Sequence, residues 1–295
     1  MGAKPLVIYH GNCQDGFTAA WAIWKVHPDW EFYPAKHGDP PPDVTGRVVY
    51  MVDFSYKQPV IEEMLTKAEK IVILDHHKTA MNDLNSLAII YPPDELEVWF
   101  DMEKSGARLA WEYFHPEKDI PQLVLYVEDR DLWRFKRGDT KAITAYLFAQ
   151  DYDFSGWTVF ADYIEETLSQ HDECVTAGQA ILDAKAKDTL ELLANKFRYV
   201  IGGHEVWTVN LPYTFSSDAG NILAKGEPFG STYYYDGEGY VFSLRSDENG
   251  LDVSEIAKQY GGGGHKHAAG FKLKSFFVLI DPAKVDNNIE ITTGV

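Results

Sequence analysis

Histidine and aspartate recur at the ends of apolar runs in the first half of this chain. PLVIYH ends on His10, RVVYMVD on Asp53, and KIVILD on Asp75, directly followed by His76 and His77. LVLYVED ends on Asp129, with Arg130 and Asp131 next. Imidazole together with carboxylate suits divalent Mn, Fe, Co or Zn, and Mg less well because of the histidines. Neighbouring side chains at a strand end point to opposite sides. In Asp75-His76-His77 one imidazole can therefore ligate while the other faces a substrate. Asp75 can accept the second N–H of an imidazole and orient its ring. Capping of the next helix explains any single strand-end Asp; it does not explain four ends on one edge.

The elements that must deliver these groups can be read from the same runs. With SLAIIY (86–91), PLVIYH (5–10), RVVYMVD (47–53), KIVILD (70–75) and LVLYVED (123–129) are expected to be strands buried on both faces. Helical patterns fall between them at 17–26, 58–70 and 106–114. The alternation predicts an α/β fold with a doubly wound, mostly parallel sheet. In such sheets ligands bind at the carboxyl ends of the strands. Residues 1–153 are read as this metal-binding domain and 154–195 as a helical connector. Residues 196–285 read as a smaller α+β domain and 286–295 as a tail.

Composition narrows the function classes. The chain has 295 residues, 45% apolar and 24% charged, which is ordinary for globular proteins and suggests about two domains. It has no apolar run long enough to span a membrane and no signal-peptide pattern. With 27 Lys and Arg against 45 Asp and Glu, the net charge is −18. That argues against a broad grip on long duplex nucleic acid, but not against a short oligonucleotide in a small pocket. Cys13 and Cys174 can build neither a disulfide framework nor a four-cysteine zinc site, and a cytoplasmic location is expected.

The second half offers a different chemistry. GGGGHKHAAGF (261–271) combines glycines that permit positive φ with His265 and His267 as donors. Its successive amides can cradle a phosphate. Arg245, in FSLRS, can contact phosphate bidentately. Ser105-Gly106 opens the helical segment GARLAWEYF and could aim a hydroxyl and amides at a phosphate. Ordinary N-capping explains Ser105 equally well. Trp21, Trp24, Trp111 and Phe114 are at helical spacing and are read as core; His37 and His115 are read as surface residues, Cys174 as a packing residue.

Taken in order, HGNCQDG (10–16), VDFS (52–55), LDHHKT (74–79), EDRDLW (128–133), FSLRS (242–246) and GGGGHKHAAGF resemble the motifs of the DHH phosphoesterases. That superfamily contains RecJ-type exonucleases, nano-RNases, phosphoadenosine phosphate phosphatases and manganese pyrophosphatases. The last motif resembles the glycine segment of the DHH-associated substrate-binding domain. The resemblance implies two divalent metal ions, Mn²⁺ first, with Mg²⁺ or Co²⁺ as alternatives. It implies His10, Asp15, Asp53, His76 and Asp129 as ligands, with Asp53 shared, and His77 with Asp75 as the catalytic pair. Substrate would be held by Ser105, Arg245, Gly262, Gly263, Gly264, His265 and His267. The first motif departs from the usual form, because Phe17 stands where a second carboxylate is common; Asn12 or Cys13 could fill the gap. Asp131 is read as a surface-turn carboxylate and a weaker alternative to Asp129.

The implied activity is metal-dependent hydrolysis of short oligoribonucleotides, linear dinucleotides included, to 5′-mononucleotides. The rivals are a phosphatase acting on 3′-phosphoadenosine 5′-phosphate and a nucleotide-binding protein that has lost catalysis. The expected partner is a short oligoribonucleotide or nucleotide, with no long duplex and no membrane; a homodimer is left open.

Overall fold

Leu6, Val7 and Ile8 are consecutive and all fully buried, which a strand achieves only when both faces of its sheet are covered. The computed structural model describes residues 3–275. The tail expected at 286–295 and the last ten residues of the domain expected at 196–285 lie outside the described residues. The chain divides into two compact units, Met1–Ala184 and Lys185–Val295.

The first unit runs β1 (Leu6–His10), α1 (Gln14–Trp24), β2 (Glu31–Ala35), β3 (Val48–Val52), α2 (Gln58–Leu65), β4 (Lys70–Asp75), α3 (Lys78–Leu84), α4 (Leu87–Ile90) and β5 (Leu96–Phe100). It continues with α5 (Gly106–Phe114), α6 (Gln122–Asp131), α7 (Thr140–Phe148) and α8 (Phe154–Glu166). The sheet order is β2-β1-β3-β4-β5, parallel throughout. Alternate residues feed two cores. Val7, Val52, Val72 and Leu74 pack with Trp21, Leu109 and Trp111 on one face. Leu6, Ile8, Met51, Ile71 and Ile73 pack with Ile61, Met64 and Leu84 on the other. The chain moves outward from β1 to β2, then returns past β1 to β3. This makes the β1/β3 boundary the switch point where such sheets bind ligands.

Two expected strands are helices. SLAIIY carries α4, with Ile89 and Ile90 exposed, and LVLYVED lies in α6. A short apolar run does not distinguish a buried strand from a buried helix face. In α6, Leu123, Val124, Tyr126 and Val127 are the buried apolar positions, a helical spacing. The strands not anticipated are the sheet's two edges, β2 with Pro34 and β5 with mixed burial. Proline is tolerated at an edge because it has no ladder donor to lose.

Helix α9 (Leu168–Leu193) contains the division between the units. The second unit holds β6 (Phe197–Ile201), β7 (His204–Asn210), α10 (Ser216–Leu223), β8 (Gly230–Tyr235), β9 (Tyr240–Arg245), α11 (Val253–Lys258), β10 (Gly263–His265) and β11 (Ala268–Leu273). Its sheet order is β10-β11-β9-β8-β7-β6, antiparallel except for β7 with β8. The fold is therefore α/β with a second, mixed sheet. Among the described residues no helix is long and apolar enough to cross a membrane.

Candidate metal centre

Asp53 follows β3 with φ 53°, a left-handed conformation that is uncommon for a residue with a side chain. One carboxylate oxygen lies 3.1 Å from His76 Nε2. The other lies 3.5 Å from His10 Nδ1 and accepts from Cys13 Sγ at 3.5 Å. His76 follows β4, and its Nε2 is also 3.5 Å from Asp15 Oδ2 and 3.5 Å from Asp131 Oδ2. Three donor groups thus share Asp53. One is Asp15, Asp53, Asp131 and His76; another is His10, Cys13 and Asp53; the third is Asp53, Asp75 and His77.

The local sequence explains how Asp15 reaches the cluster. It sits in the first turn of α1 and accepts N–H bonds from Gly106 at 2.6 Å and Ala107 at 3.0 Å, the open amides of α5. Gly16 lets α1 approach β1; a Cβ there would fall 2.4 Å from the carbonyl oxygen of His10. Phe17 points into the core, stacked on Phe154 with centroids 4.7 Å apart, so position 17 supplies no ligand.

The electrostatics are those of an acidic cluster in need of a cation. Burial first, then Asp53 and Asp131, push the Asp15 carboxyl well above its usual range. Burial also raises Asp131, against the pull of His76 and with the push of Asp53. Asp53 resists the same burial, because hydrogen bonds from His10 and His76 hold it well below the ordinary range. Burial disfavours a charged His76, but its bond to Asp53 and the charges of Asp131 and Asp15 outweigh that and lift it to about 10. Burial, then Asp53, Asp131 and Asp15, push the Cys13 thiol up. Buried carboxylates crowded around imidazole and thiol fit a divalent transition ion.

His77 follows His76 directly, its ring 5.0 Å from that of His76 and its donor atom grouped with Asp53 and Asp75. Its Nδ1 is bonded to Asp75 Oδ1 at 2.7 Å. Asp75 also accepts from Ser55 Oγ at 2.6 Å and from the His76 amide at 2.7 Å. This network fixes the ring, as an orienting carboxylate does for catalytic and ligating histidines.

Several expected residues stand elsewhere. Asp129 is not in the cluster. Its carboxylate accepts from the amides of Lys136 and Arg137, at 2.9 and 3.1 Å, and from Thr140 Oγ1 at 2.5 Å. Asp131 takes its place, because α6 is a helix and residues 129 and 131 point in different directions. Asp131 is accordingly not a plain surface-turn carboxylate. Ser105 is fully buried, and its hydroxyl caps α5 by accepting from the Arg108 amide at 3.2 Å. With Gly106 and Ala107 bonded to Asp15, the start of α5 serves a carboxylate rather than a phosphate. His115 is buried, not superficial: its ring stacks on Trp111 at 3.9 Å and Nε2 is 2.7 Å from the Ala22 carbonyl. His37 was not anticipated at the site. It is exposed, stacks on Phe54 at 4.9 Å and lies 5.4 Å from the His10 ring.

In the second unit, Arg245 Nη2 donates to Ser217 Oγ at 2.9 Å, and His267 Nδ1 lies 3.0 Å from Ser246 Oγ. The glycine segment is a hairpin rather than an open loop. Gly263 and Gly264 pair with Gly270 and Ala269, and His265 pairs with Ala268. A Cβ on Gly262 would sit 2.0 Å from the Gly270 oxygen.

Residues 224–291 match the DHHA1 domain model. The chain is 33% identical over 310 aligned residues to the uncharacterised protein R106 of Acanthamoeba polyphaga mimivirus, covering 96% of this chain and 70% of that protein. It is 27% identical over 252 residues to oligoribonuclease NrnB of Bacillus subtilis (strain 168), covering 77% of this chain and 60% of that relative's length. Among solved structures, the DHH domain of a member of a ribosomal-protein family superposes with TM-score 0.52 at 18% identity, covering 91% of this chain and 82% of that one. That likeness shows the shared fold. Together with the Asp75-His76-His77 strand end, these similarities establish that the chain belongs to the DHH-family phosphoesterases that carry a DHHA1 domain.

Proposed function

We propose that this protein is a metal-dependent phosphodiesterase that hydrolyses short oligoribonucleotides, linear dinucleotides such as pGpG included, to 5′-mononucleotides. The observation that carries the reading is Asp53, which offers one oxygen to the His76 group and the other to His10 and Cys13. Asp15, Asp53, Asp131 and His76 would hold one divalent ion, and His10, Cys13 and Asp53 a second. Ions held there supply Lewis acidity to a phosphoryl oxygen and to an attacking water. Mn²⁺ is the preferred candidate, since carboxylate oxygens and imidazole nitrogens make up most of the donors.

The chain's own residues do the rest. Asp75 holds the His77 ring by Nδ1, so that its other edge can donate to a non-bridging phosphoryl oxygen. Arg245, His265 and His267, beside Gly262, Gly263 and Gly264, are the candidate contacts to substrate in the second unit. The net charge of −18 favours a short substrate over a long polyanion. The oligoribonuclease of Bacillus subtilis is the relative whose name supports RNA fragments as the substrate class. A panel tests the reading: purified protein with Mn²⁺ against pGpG, five-residue RNA, long single-stranded DNA, 3′-phosphoadenosine 5′-phosphate and pyrophosphate. Mononucleotide release from the first two, falling steeply with length, is expected. Turnover of only 3′-phosphoadenosine 5′-phosphate, or of nothing, would replace it with one of the rival readings.

A further inference from the structure

The turn after α6 is strained at two aromatic residues. Trp133 has φ 55° and Phe135 φ 46°. Glycine takes such angles freely, whereas bulky side chains adopt them only where surrounding structure enforces them. Here the enforcement comes from Asp129. Its carbonyl oxygen accepts from the amides of Arg134 and Phe135, at 2.9 and 3.2 Å. Its carboxylate holds the next two amides and Thr140. Trp133 remains 39% exposed and Phe148 45%. The Arg130 guanidinium lies near both, 5.8 Å from the Trp133 centroid and 5.7 Å from that of Phe148.

Charge sets this turn apart as well. Residues 130–141 carry Arg130, Arg134, Lys136, Arg137 and Lys141 against Asp131 and Asp139, in a chain with a net charge of −18. Interleaved cations and exposed aromatic rings are what single-stranded nucleic acid needs: rings for the bases, cations for the phosphates. The turn also begins at the metal centre. Asp131 reaches His76 at 3.5 Å, and residues two apart lie within about 7 Å along the backbone. A phosphate at the cluster therefore has its own base within reach of this turn.

We propose that Trp133, with Arg130 and Phe148 beside it, is a stacking platform for a nucleobase of the oligonucleotide substrate. The proposal rests on the phosphodiesterase reading for the position of the phosphate and on the strained turn for the base. It also accounts for the backbone: the left-handed angle at residue 133 is kept, although glycine would fit better, because the ring is what the site requires.

The test uses the full chain, with pGpG and its two singly abasic versions as probes. Binding is measured by calorimetry with Ca²⁺ in place of Mn²⁺, and turnover with Mn²⁺. Trp133→Ala and Trp133→Gly are expected to weaken pGpG binding by about 5- to 100-fold, and Trp133→Phe by much less. Both ring deletions should barely affect one of the two abasic probes. Trp133→Gly should melt at or above the wild-type temperature, since glycine relieves the left-handed backbone. Equal weakening on intact and both abasic probes would make Trp133 a merely structural residue and overturn the proposal. Unchanged binding of pGpG in both ring deletions, or no binding by the wild type, would overturn it too. Base-dependent binding without any Mn²⁺-dependent turnover would sustain the platform and remove the phosphodiesterase reading instead.

Discussion

The backbone of Gly106 lies so close to Asp53 that a Cβ on residue 106 would sit 2.5 Å from the Asp53 Cβ and 2.9 Å from its Cα. The same Cβ would meet Asp15 Oδ2 at 3.1 Å. One glycine therefore sets the separation between α5 and two carboxylates of the cluster. Gly106→Ala is expected to push Asp53 away from His76 and to weaken the cap on Asp15. Overpacking of this kind costs about 1–3 kcal/mol of stability. The larger effect should be functional, because a displacement near 1 Å costs roughly 100-fold in rate. Metal analysis together with steady-state kinetics checks this. Wild-type metal content at wild-type turnover would show that the close approach is incidental.

Asp129 and Asp131 should separate cleanly. Asp131→Asn is expected to lower metal affinity and turnover while leaving the fold intact. It removes one of three carboxylates ringing His76, and in the metal-free protein the lost attraction to His76 and the relieved repulsion from Asp53 oppose each other. Asp129→Ala takes the opposite course. Lys136, Arg137 and Thr140 lose a charged acceptor, and one such bond is worth about 1.5–3 kcal/mol. Denaturant unfolding in the presence of a chelator reads stability alone; metal titration reads the site. A stable Asp129→Ala variant that fails to bind metal would return Asp129 to the ligand set.

This pair also marks where the sequence stops being informative. β1, β3 and β4 are buried on both faces, so their apolar runs are nearly continuous and their ends at His10, Asp53 and Asp75 can be read directly. LVLYVED looks the same as a string of letters, yet it forms a helix, and two residues of helix turn the side chain through about 200°. The ligand geometry at Asp131 depends on that difference. Ser105 posed another ambiguity, since capping and phosphate binding use the same hydroxyl; here the Arg108 amide takes it. The edge strands β2 and β5 are hard to read although EFYPA and LEVWF are mostly apolar, because Pro34 argues against a strand in one and Glu97 interrupts the other. The strain at Trp133 has no signature in residue types at all.

Cys13 occupies the gap left by Phe17. Its sulfur is 3.5 Å from Asp53 Oδ2, in the group that includes His10. A thiolate there would shift preference toward softer ions such as Zn²⁺ and Co²⁺. The Co²⁺-loaded protein is expected to show a sulfur-to-cobalt charge-transfer band in the near ultraviolet. Cys13→Ser should abolish that band and weaken Co²⁺ more than Mn²⁺. Cys13→Asp should restore Mn²⁺ binding without restoring the band. A band that persists in Cys13→Ser would have to come from another thiol and would remove Cys13 from the ligand set.

His115 gives the protein a sensitivity to acid far from the metal centre. Its ring is buried against Trp111, and Nε2 bonds the Ala22 carbonyl. Burial lowers its pKa; the bond to Ala22 opposes this in part, and Lys118, Lys25 and His27 add to the depression. The unfolded chain therefore binds this proton more readily than the folded one. The sign follows: stability is fully present above the unfolded value of about 6.5 and is lost as pH falls through the folded value. Chemical denaturation at pH 8, 7, 6 and 5, with a chelator present so that metal binding does not contribute, should show a decline that begins near 6.5. His115→Gln removes the titration but keeps a donor for Ala22. Its stability should change less between pH 7 and 5 than that of the wild type, even where its absolute stability is lower. Parallel pH profiles for the two proteins would show that His115 accepts its proton without cost in the folded state, and that the acid sensitivity lies elsewhere.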